Sequence, residues 1–165
     1  MRKTPAEKIA LGGVLAAVAV SIFALGGLIP IATFLTPVIA AILVQTVLRL
    51  CGKRIAWAWY AVVAILALLM SPDKEAALLF LFLGYYPILK PALDQSKLRI
   101  LWKLLLFNAA VFCMYALLIF LTGASEIMDE YREMGNVWLA VMVILGNATF
   151  FLLDLLLSRR FPRRK

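Results

Sequence analysis

Residues 9–29 read IALGGVLAAVAVSIFALGGLI, a stretch without a charged side chain. An α-helix needs roughly 20 apolar residues to cross the ~30 Å hydrocarbon core of a bilayer, so this stretch predicts a membrane-spanning helix. Arg2, Lys3 and Lys8 precede it, as in a secretory signal peptide, but the apolar core of a signal peptide has only ~7–15 residues. No small-residue cleavage site followed by a polar region appears. Residues 9–29 are therefore predicted to be the first span.

The composition of the whole chain agrees with this interpretation. Hydrophobic residues make up 65% of the 165 residues, whereas a soluble domain is usually ~45–50% apolar. A water-soluble fold of this length has too little interior to bury so much apolar surface, while a bilayer removes the need to bury it. We expect an all-α integral membrane protein that forms one domain over residues 1–165, a compact bundle of about six transmembrane helices.

The boundaries of the spans follow from the apolar stretches and from proline. The predicted spans are residues 9–29, 31–50, 55–70, 75–89, 104–121 and 136–157. Thr36-Pro37 resembles a helix start, which would make residues 30–36 a loop at the membrane surface and shorten the second helix. Pro87 is predicted to end the fourth span. Residues 90–103 are predicted to form a cytoplasmic loop or an interfacial helix.

The distribution of charge predicts the orientation. With six spans and a cytoplasmic N-terminus, every basic residue except Lys74 and Arg132 falls on a cytoplasmic segment, and most acidic residues fall outside. This is the positive-inside pattern. It predicts that both termini are cytoplasmic in a multi-pass protein of the cell membrane, with the lipid bilayer as its immediate partner. Nucleic acid is not an expected partner, because the net charge of +8 is spread over short clusters between apolar stretches.

Residues suited to catalysis or metal binding are scarce. The chain has no histidine, no HExxH motif and no glycine-rich phosphate loop, so a general base, a metal centre and a nucleotide site all lack their usual side chains. Cys51 lies in a basic loop and Cys113 in an apolar stretch, and neither has an evident activating partner. We expect a protein that is not an enzyme and that holds no metal or cofactor.

Polar residues inside the spans are candidates for function because each is costly in hydrocarbon unless it is paired. They are Gln45, Tyr85, Tyr86, Asn108, Asn147, Thr149 and Asp154. One interpretation is a ligand-binding or coupling cluster, and the other is a set of hydrogen bonds between helices that fixes the bundle. Asp154 is also expected to pair locally with Ser158 or Arg159. Tyr85 and Tyr86 are also typical of residues that anchor a helix end among lipid headgroups.

Small residues recur every four positions along the first span. The two rows are Gly12-x-x-x-Ala16 and Gly13-x-x-x-Ala17-x-x-x-Ser21. Small side chains let another helix approach closely in a membrane, and that helix can belong to this chain or to a partner. Gly12, Gly13, Ala16 and Ala17 are therefore candidate docking residues.

As a whole, the chain resembles the substrate-binding S component of energy-coupling factor (ECF) transporters. The features that carry the resemblance are the basic N-terminus, the small residues of the first span, the proline-broken entry into the second, the six spans and the basic tail of residues 159–165. Such components capture a vitamin or metal ion and dock on a transmembrane scaffold with two cytoplasmic ATPase subunits. The family's docking motif is Ala-x-x-x-Ala in the first span, which implies docking through Gly12 and Ala16 or through Gly13 and Ala17. The outer halves of the spans carry few polar groups, which favours a small, largely apolar metabolite or vitamin as ligand.

Three functions remain open on the sequence. The first is the substrate-binding subunit of an ECF-type transporter. The second is a non-catalytic membrane scaffold or assembly factor with a partner on the cytoplasmic side, suggested by the polar groups and charge predicted there. The third is a small self-assembling channel or transporter, which needs a polar lining.

Overall fold

A computed structural model of the chain describes residues 4–26, 32–122 and 143–158, and these residues are helical with short turns. The helices are α1 (Pro5–Gly26), α2 (Ala32–Cys51), α3 (Lys53–Met70), α4 (Lys74–Leu83), α5 (Tyr86–Leu93), α6 (Arg99–Thr122) and α7 (Val143–Ser158). Within the described ranges, five segments are long and apolar enough to cross a membrane: α1, α2, α3, α6 and the combined segment Lys74–Leu93. The expected all-helical class is confirmed for the described residues, and by length and composition these five segments suit a multi-span protein.

The first helix starts earlier than its apolar stretch. The amide of Thr4 donates to Glu7 Oε2 at 3.0 Å, and the amide of Glu7 donates to Thr4 Oγ1 at 3.3 Å. This reciprocal pair is a capping box, and Pro5 occupies the first helical position, where its missing N–H costs nothing. Helix α1 therefore begins at Pro5 and not at Ile9.

Pro37 does not start the second helix, and the prediction of a loop before it was wrong for residues 32–36. Pro37 lies inside α2, which begins at Ala32. Thr36 is buried and lies so close to the end of α1 that a Cβ at Gly26 would be 2.6 Å from Thr36 Oγ1. Packing against α1 thus stabilises the first turn and offsets the hydrogen bond that proline lacks. Residues 27–31 lie outside the described ranges.

Pro87 does not end the fourth span, contrary to the sequence prediction. Gly84 and Tyr85 keep right-handed helical backbone angles, and Pro87 lies in the first turn of α5, which continues to Leu93. Residues 90–93 therefore complete the fourth span. Helix α6, which contains the predicted fifth span, starts at Arg99 and not at Leu104. Of residues 90–103, which were predicted as a cytoplasmic loop or an interfacial helix, 90–93 thus end α5 and 99–103 begin α6.

The described helices belong to two compact units, α1–α5 in unit 1 (Met1–Lys97) and α6–α7 in unit 2 (Leu98–Lys165). In unit 1, α2 contacts each of the other four helices. Its core face carries Ala40, Val44 and Val47, which pack with alanines of α3 and α4 and with Phe23 and Phe80. Small side chains at these positions let the helices approach closely, which is the usual packing mode in membranes.

Contacts between helices fix which ends of unit 1 coincide. At one end, Cys51 Sγ donates to the Lys8 carbonyl at 3.3 Å, which joins the start of α1 to the end of α2. At the other end, Ser71 Oγ donates to the Phe23 carbonyl at 3.2 Å, which joins the end of α3 to the end of α1. Successive spans therefore run in alternate directions. We call the first of these the basic end, because Lys8, Lys53 and Arg54 lie there.

Unit 2 is an antiparallel pair of helices. Phe107 of α6 stacks on Phe150 of α7 with ring centroids 4.7 Å apart and an interplanar angle of 22°. A Cβ at Gly146 would lie 3.6 Å from Phe107 Cζ, so glycine lets α7 approach that ring. Residues 143–158 confirm a helix in the predicted sixth span. Residues 136–142, the acidic loop from 123 to 135 and the basic tail 159–165 lie outside the described ranges.

Candidate functional site

The candidate docking residues of α1 divide between two surfaces. Gly12 is buried, and its carbonyl accepts a hydrogen bond of 3.0 Å from Trp59 Nε1 of α3. A Cβ at Gly12 would lie 3.7 Å from Ile55 Cγ2, and Ala16 packs half-buried against the core. The Gly12–Ala16 row thus serves contact within unit 1.

The neighbouring row faces away from unit 1. Gly13, Ala17 and Ser21 are exposed, and a Cβ at Gly13 would have no heavy atom within 4 Å. The three residues lie on successive turns of α1, so they form one shallow face of small side chains. This exposed row consists of Gly13, Ala17 and Ser21, and it is open to a neighbour in the membrane.

Gln45 lies in the interior of unit 1. The residue is 7% exposed on the central helix α2, and among the described residues its Oε1 atom has no hydrogen-bond partner. Its Oε1 atom therefore does not help to hold the helices together by a hydrogen bond. A buried polar atom without a partner is costly.

Tyr86 and Tyr85 have different surroundings although they are adjacent. Tyr86 is fully buried, so it packs inside the bundle and does not anchor a helix end among headgroups. Lys90 Nζ lies 5.9 Å from the centroid of its ring. Tyr85 is half-buried and stacks on Trp57 of α3, with centroids 6.4 Å apart and an angle of 16°. Its edge contact with Tyr60 continues this aromatic cluster.

Asn108 and Asn147 form a reciprocal amide pair between α6 and α7. Asn108 Nδ2 donates to Asn147 Oδ1 at 3.1 Å, and Asn147 Nδ2 donates to Asn108 Oδ1 at 3.2 Å. Each Nδ2 also donates to a carbonyl one turn earlier in its own helix. Asn108 donates to the Leu104 carbonyl and Asn147 to the Val143 carbonyl. All four amide hydrogens are therefore satisfied within the pair, as expected for a hydrogen bond that holds two helices together in lipid.

Asp154 pairs across the helices with Lys103 of α6. Its Oδ2 atom lies 2.8 Å from Lys103 Nζ, and the two side chains are only 15% and 7% exposed. Ser158 does not reach the carboxylate, because its hydroxyl donates to the Asp154 backbone carbonyl at 2.8 Å. The expected local pairing with Ser158 was therefore wrong, while Arg159 lies outside the described residues. Thr149 also turns to its own helix and donates to the Leu145 carbonyl.

The polar candidates thus belong to separate arrangements. Unit 2 pairs Asn108 with Asn147 and Asp154 with Lys103, and both pairs join α6 to α7. Gln45, Tyr85 and Tyr86 belong to unit 1. Lys103 is the partner that sequence reasoning missed, because its charge placed it in a loop. Its spacing of four residues from Phe107 is the signal that puts these two side chains on one face of a helix.

Comparison of the chain with models of known protein families, with curated proteins and with solved structures gave no match. Its function is therefore argued from the geometry of the described residues.

Proposed function

We propose that this chain is a non-catalytic subunit of a membrane protein complex and that it docks onto a transmembrane helix of its partner through the exposed row Gly13, Ala17 and Ser21. The observation that carries the proposal is the division of α1. One small-residue row is used against α3, while the parallel row of Gly13, Ala17 and Ser21 is exposed. Apolar attraction does not drive helices together in lipid, so close approach over small residues is the main source of specific association.

The polar pairs of unit 2 support a structural rather than a chemical role for the spans. A ligand site in a membrane protein needs convergent polar groups directed at a cavity. Here Asn108, Asn147, Lys103 and Asp154 direct their polar atoms at one another. These contacts stabilise a helical hairpin, which suits a subunit that works by binding another protein.

Two forms of this proposal differ in whether a small molecule is carried. The substrate-binding component of an ECF-type transporter would hold a largely apolar metabolite and dock on a scaffold with ATPase subunits. A scaffold or assembly factor would dock without one. The resemblance noted in the sequence favours the first form, and the mutual pairing of the polar residues in unit 2 favours the second.

The test is native mass spectrometry of gently solubilised complexes from cells that express variants of α1. We expect Gly13→Ile and Ala17→Ile each to reduce the fraction of protein that carries the partner at least tenfold. The unfolding temperature of the variants should stay unchanged. Both positions are exposed, so larger side chains disturb the docking face and not the core. The matched control is Ala58→Ile, since Ala58 is an exposed small residue on α3.

The outcomes separate the alternatives. Wild-type protein that appears alone, or a partner that survives both α1 substitutions, contradicts docking through this face. If the control loses the partner equally, the effect does not belong to the exposed row. A partner accompanied by a bound small molecule supports the transporter form, and a partner alone supports the scaffold form.

A further inference from the structure

The basic end of unit 1 collects three cations from helices α1 and α3. The contact of Cys51 Sγ with the Lys8 carbonyl brings the start of α1 to the end of α2, and α3 begins two residues later at Lys53. Lys53 and Arg54 are both exposed, and Lys8 is half-buried. A short turn and one side-chain contact therefore place these three charges at one end of the bundle.

The first turn of α3 has no negative charge to balance these cations. Gly52 precedes the helix with φ of 97° and provides no side-chain cap, and the turn contains no acidic residue. The N-terminus of a helix carries a partial positive charge, so acidic side chains are favoured there. This helix begins instead with Lys53 and Arg54. Within the described ranges, neither side chain makes an ion pair or a side-chain hydrogen bond.

Acidic residues at the same end are engaged elsewhere. The carboxylate of Glu7 accepts the amide of Thr4 in the capping box of α1, and Asp94 lies 3.8 Å from the buried Lys90. At the opposite end of unit 1, Lys74 is the one basic residue among those that the structure describes, and it donates to the carbonyls of Leu68 and Ser71. Lys53 and Arg54 thus remain without an ion pair among the described residues, and the positive charge of that part of unit 1 is concentrated at the basic end.

An exposed aromatic side chain lies one helical turn beyond the cations. Trp57 is three residues after Arg54, on the same side of α3, and is 37% exposed. Tyr60 contacts the Trp57 ring at 6.0 Å and Tyr85 stacks on it, so the indole is held in place. Tryptophan with an apolar body and one N–H is typical of the headgroup region of a bilayer.

We infer that the basic end binds an anionic phospholipid, with Lys53 and Arg54 on the phosphate and Trp57 against the glycerol and the first acyl carbons. The order of groups along α3, two cations and then an aromatic ring one turn deeper, matches the order of phosphate and acyl chain in a lipid. Basic residues beside a membrane attract acidic lipids, and a guanidinium and an ammonium are the usual phosphate-binding groups. This inference concerns a lipid and is independent of the docking face on α1.

The experiment uses native mass spectrometry of the full chain released from nanodiscs of mixed phosphatidylglycerol and phosphatidylcholine with identical acyl chains. Wild-type protein is expected to retain phosphatidylglycerol in preference to phosphatidylcholine. Each basic residue near an anionic surface contributes a factor of about five in affinity, so Lys53→Gln with Arg54→Gln should lower that preference about 25-fold. Trp57→Leu should weaken retention of phosphatidylglycerol by a smaller factor.

The matched control is Lys97→Gln with Arg99→Gln, which removes the same charge from two other exposed residues. If the phosphate site consists of Lys53 and Arg54, the control should lower the preference clearly less than the double substitution at those two positions. Equal retention of the two lipids by the wild type overturns the inference. So does an equal loss in the control, since the effect would then reflect net charge alone. Displacement of the bound lipid by inorganic phosphate would assign the site to a free anion and also overturn it.

Discussion

Two glycines show how the surroundings of a single residue decide its role. A Cβ at Gly84 would lie 2.5 Å from the Phe80 carbonyl and 2.5 Å from the Phe80 ring, whereas a Cβ at Gly13 would meet nothing within 4 Å. Gly84 therefore permits the close passage from α4 to α5. Neither the backbone nor packing among the described residues requires glycine at position 13, and its place in the docking face stays a proposal.

This contrast makes a direct prediction about stability. Gly84→Ala should reduce the free energy of unfolding by about 1–3 kcal/mol, because the backbone of Phe80 must move. Gly13→Ala should raise it by up to about 1 kcal/mol, because alanine is the better helix former. Thermal unfolding of the purified protein in detergent, followed by circular dichroism, measures both. Equal changes in the two variants would contradict the account of Gly84.

At this scale the sequence identified the polar residues inside the spans but not their partners. Asn108, Asn147 and Asp154 stand out in apolar stretches, yet their pairing depends on the register of α6 against α7, which sequence spacing does not contain. Gly12 and Gly13 are also equivalent in sequence. They differ only because Trp59 of α3 donates to the carbonyl of Gly12.

The α6–α7 hairpin is the element whose register is set by polar contacts. The ion pair of Lys103 and Asp154, the Phe107–Phe150 stack and the Asn108–Asn147 pair follow one another along the two helices. Apolar side chains alone tolerate sliding between helices in lipid. A misaligned register would leave two charges and two amides unpaired in hydrocarbon, which is strongly unfavourable.

A double-mutant cycle tests this role. Lys103→Met or Asp154→Leu alone should destabilise the protein by about 3–5 kcal/mol, because each leaves one buried charge without its partner. The double substitution should cost much less than the sum, because no unpaired charge remains. Thr149→Val is the control, since Thr149 bonds only its own helix in the described part of the chain. Additive losses in the unfolding free energy would contradict a specific ion pair.

Prolines were the least reliable guides to the bounds of the helices. Pro37 and Pro87 were expected at a helix start and a helix end, from the local rule that proline lacks an N–H and restricts the preceding residue. Both lie within helical segments, because neighbouring helices pack on those segments and stabilise them. The burial of Thr36 and of Tyr86 is a tertiary effect that the local rule does not include.

For the whole molecule, the alternation of charge along the sequence anticipated the course of the chain. Contacts in unit 1 bring the start of α1 to the α2–α3 turn and the end of α1 to the α3–α4 turn. The described basic residues of unit 1 other than Lys74 therefore gather at one end, as the sequence predicted. The sidedness of the membrane and the sixth crossing stay predictions, since they depend on lipid and on residues 123–142.

The central claim is that the chain crosses the membrane repeatedly, with its basic turns in the cytoplasm. Single cysteines at Lys53, Pro72, Lys97 and Glu130, in a background with Cys51→Ser and Cys113→Ala, can be labelled in intact cells with an impermeant maleimide. We predict labelling at positions 72 and 130, and labelling at positions 53 and 97 only after permeabilisation, as the positive-inside pattern requires. Labelling of positions 53 and 97 in intact cells while 72 and 130 stay protected, or equal labelling of all four, would contradict the claim.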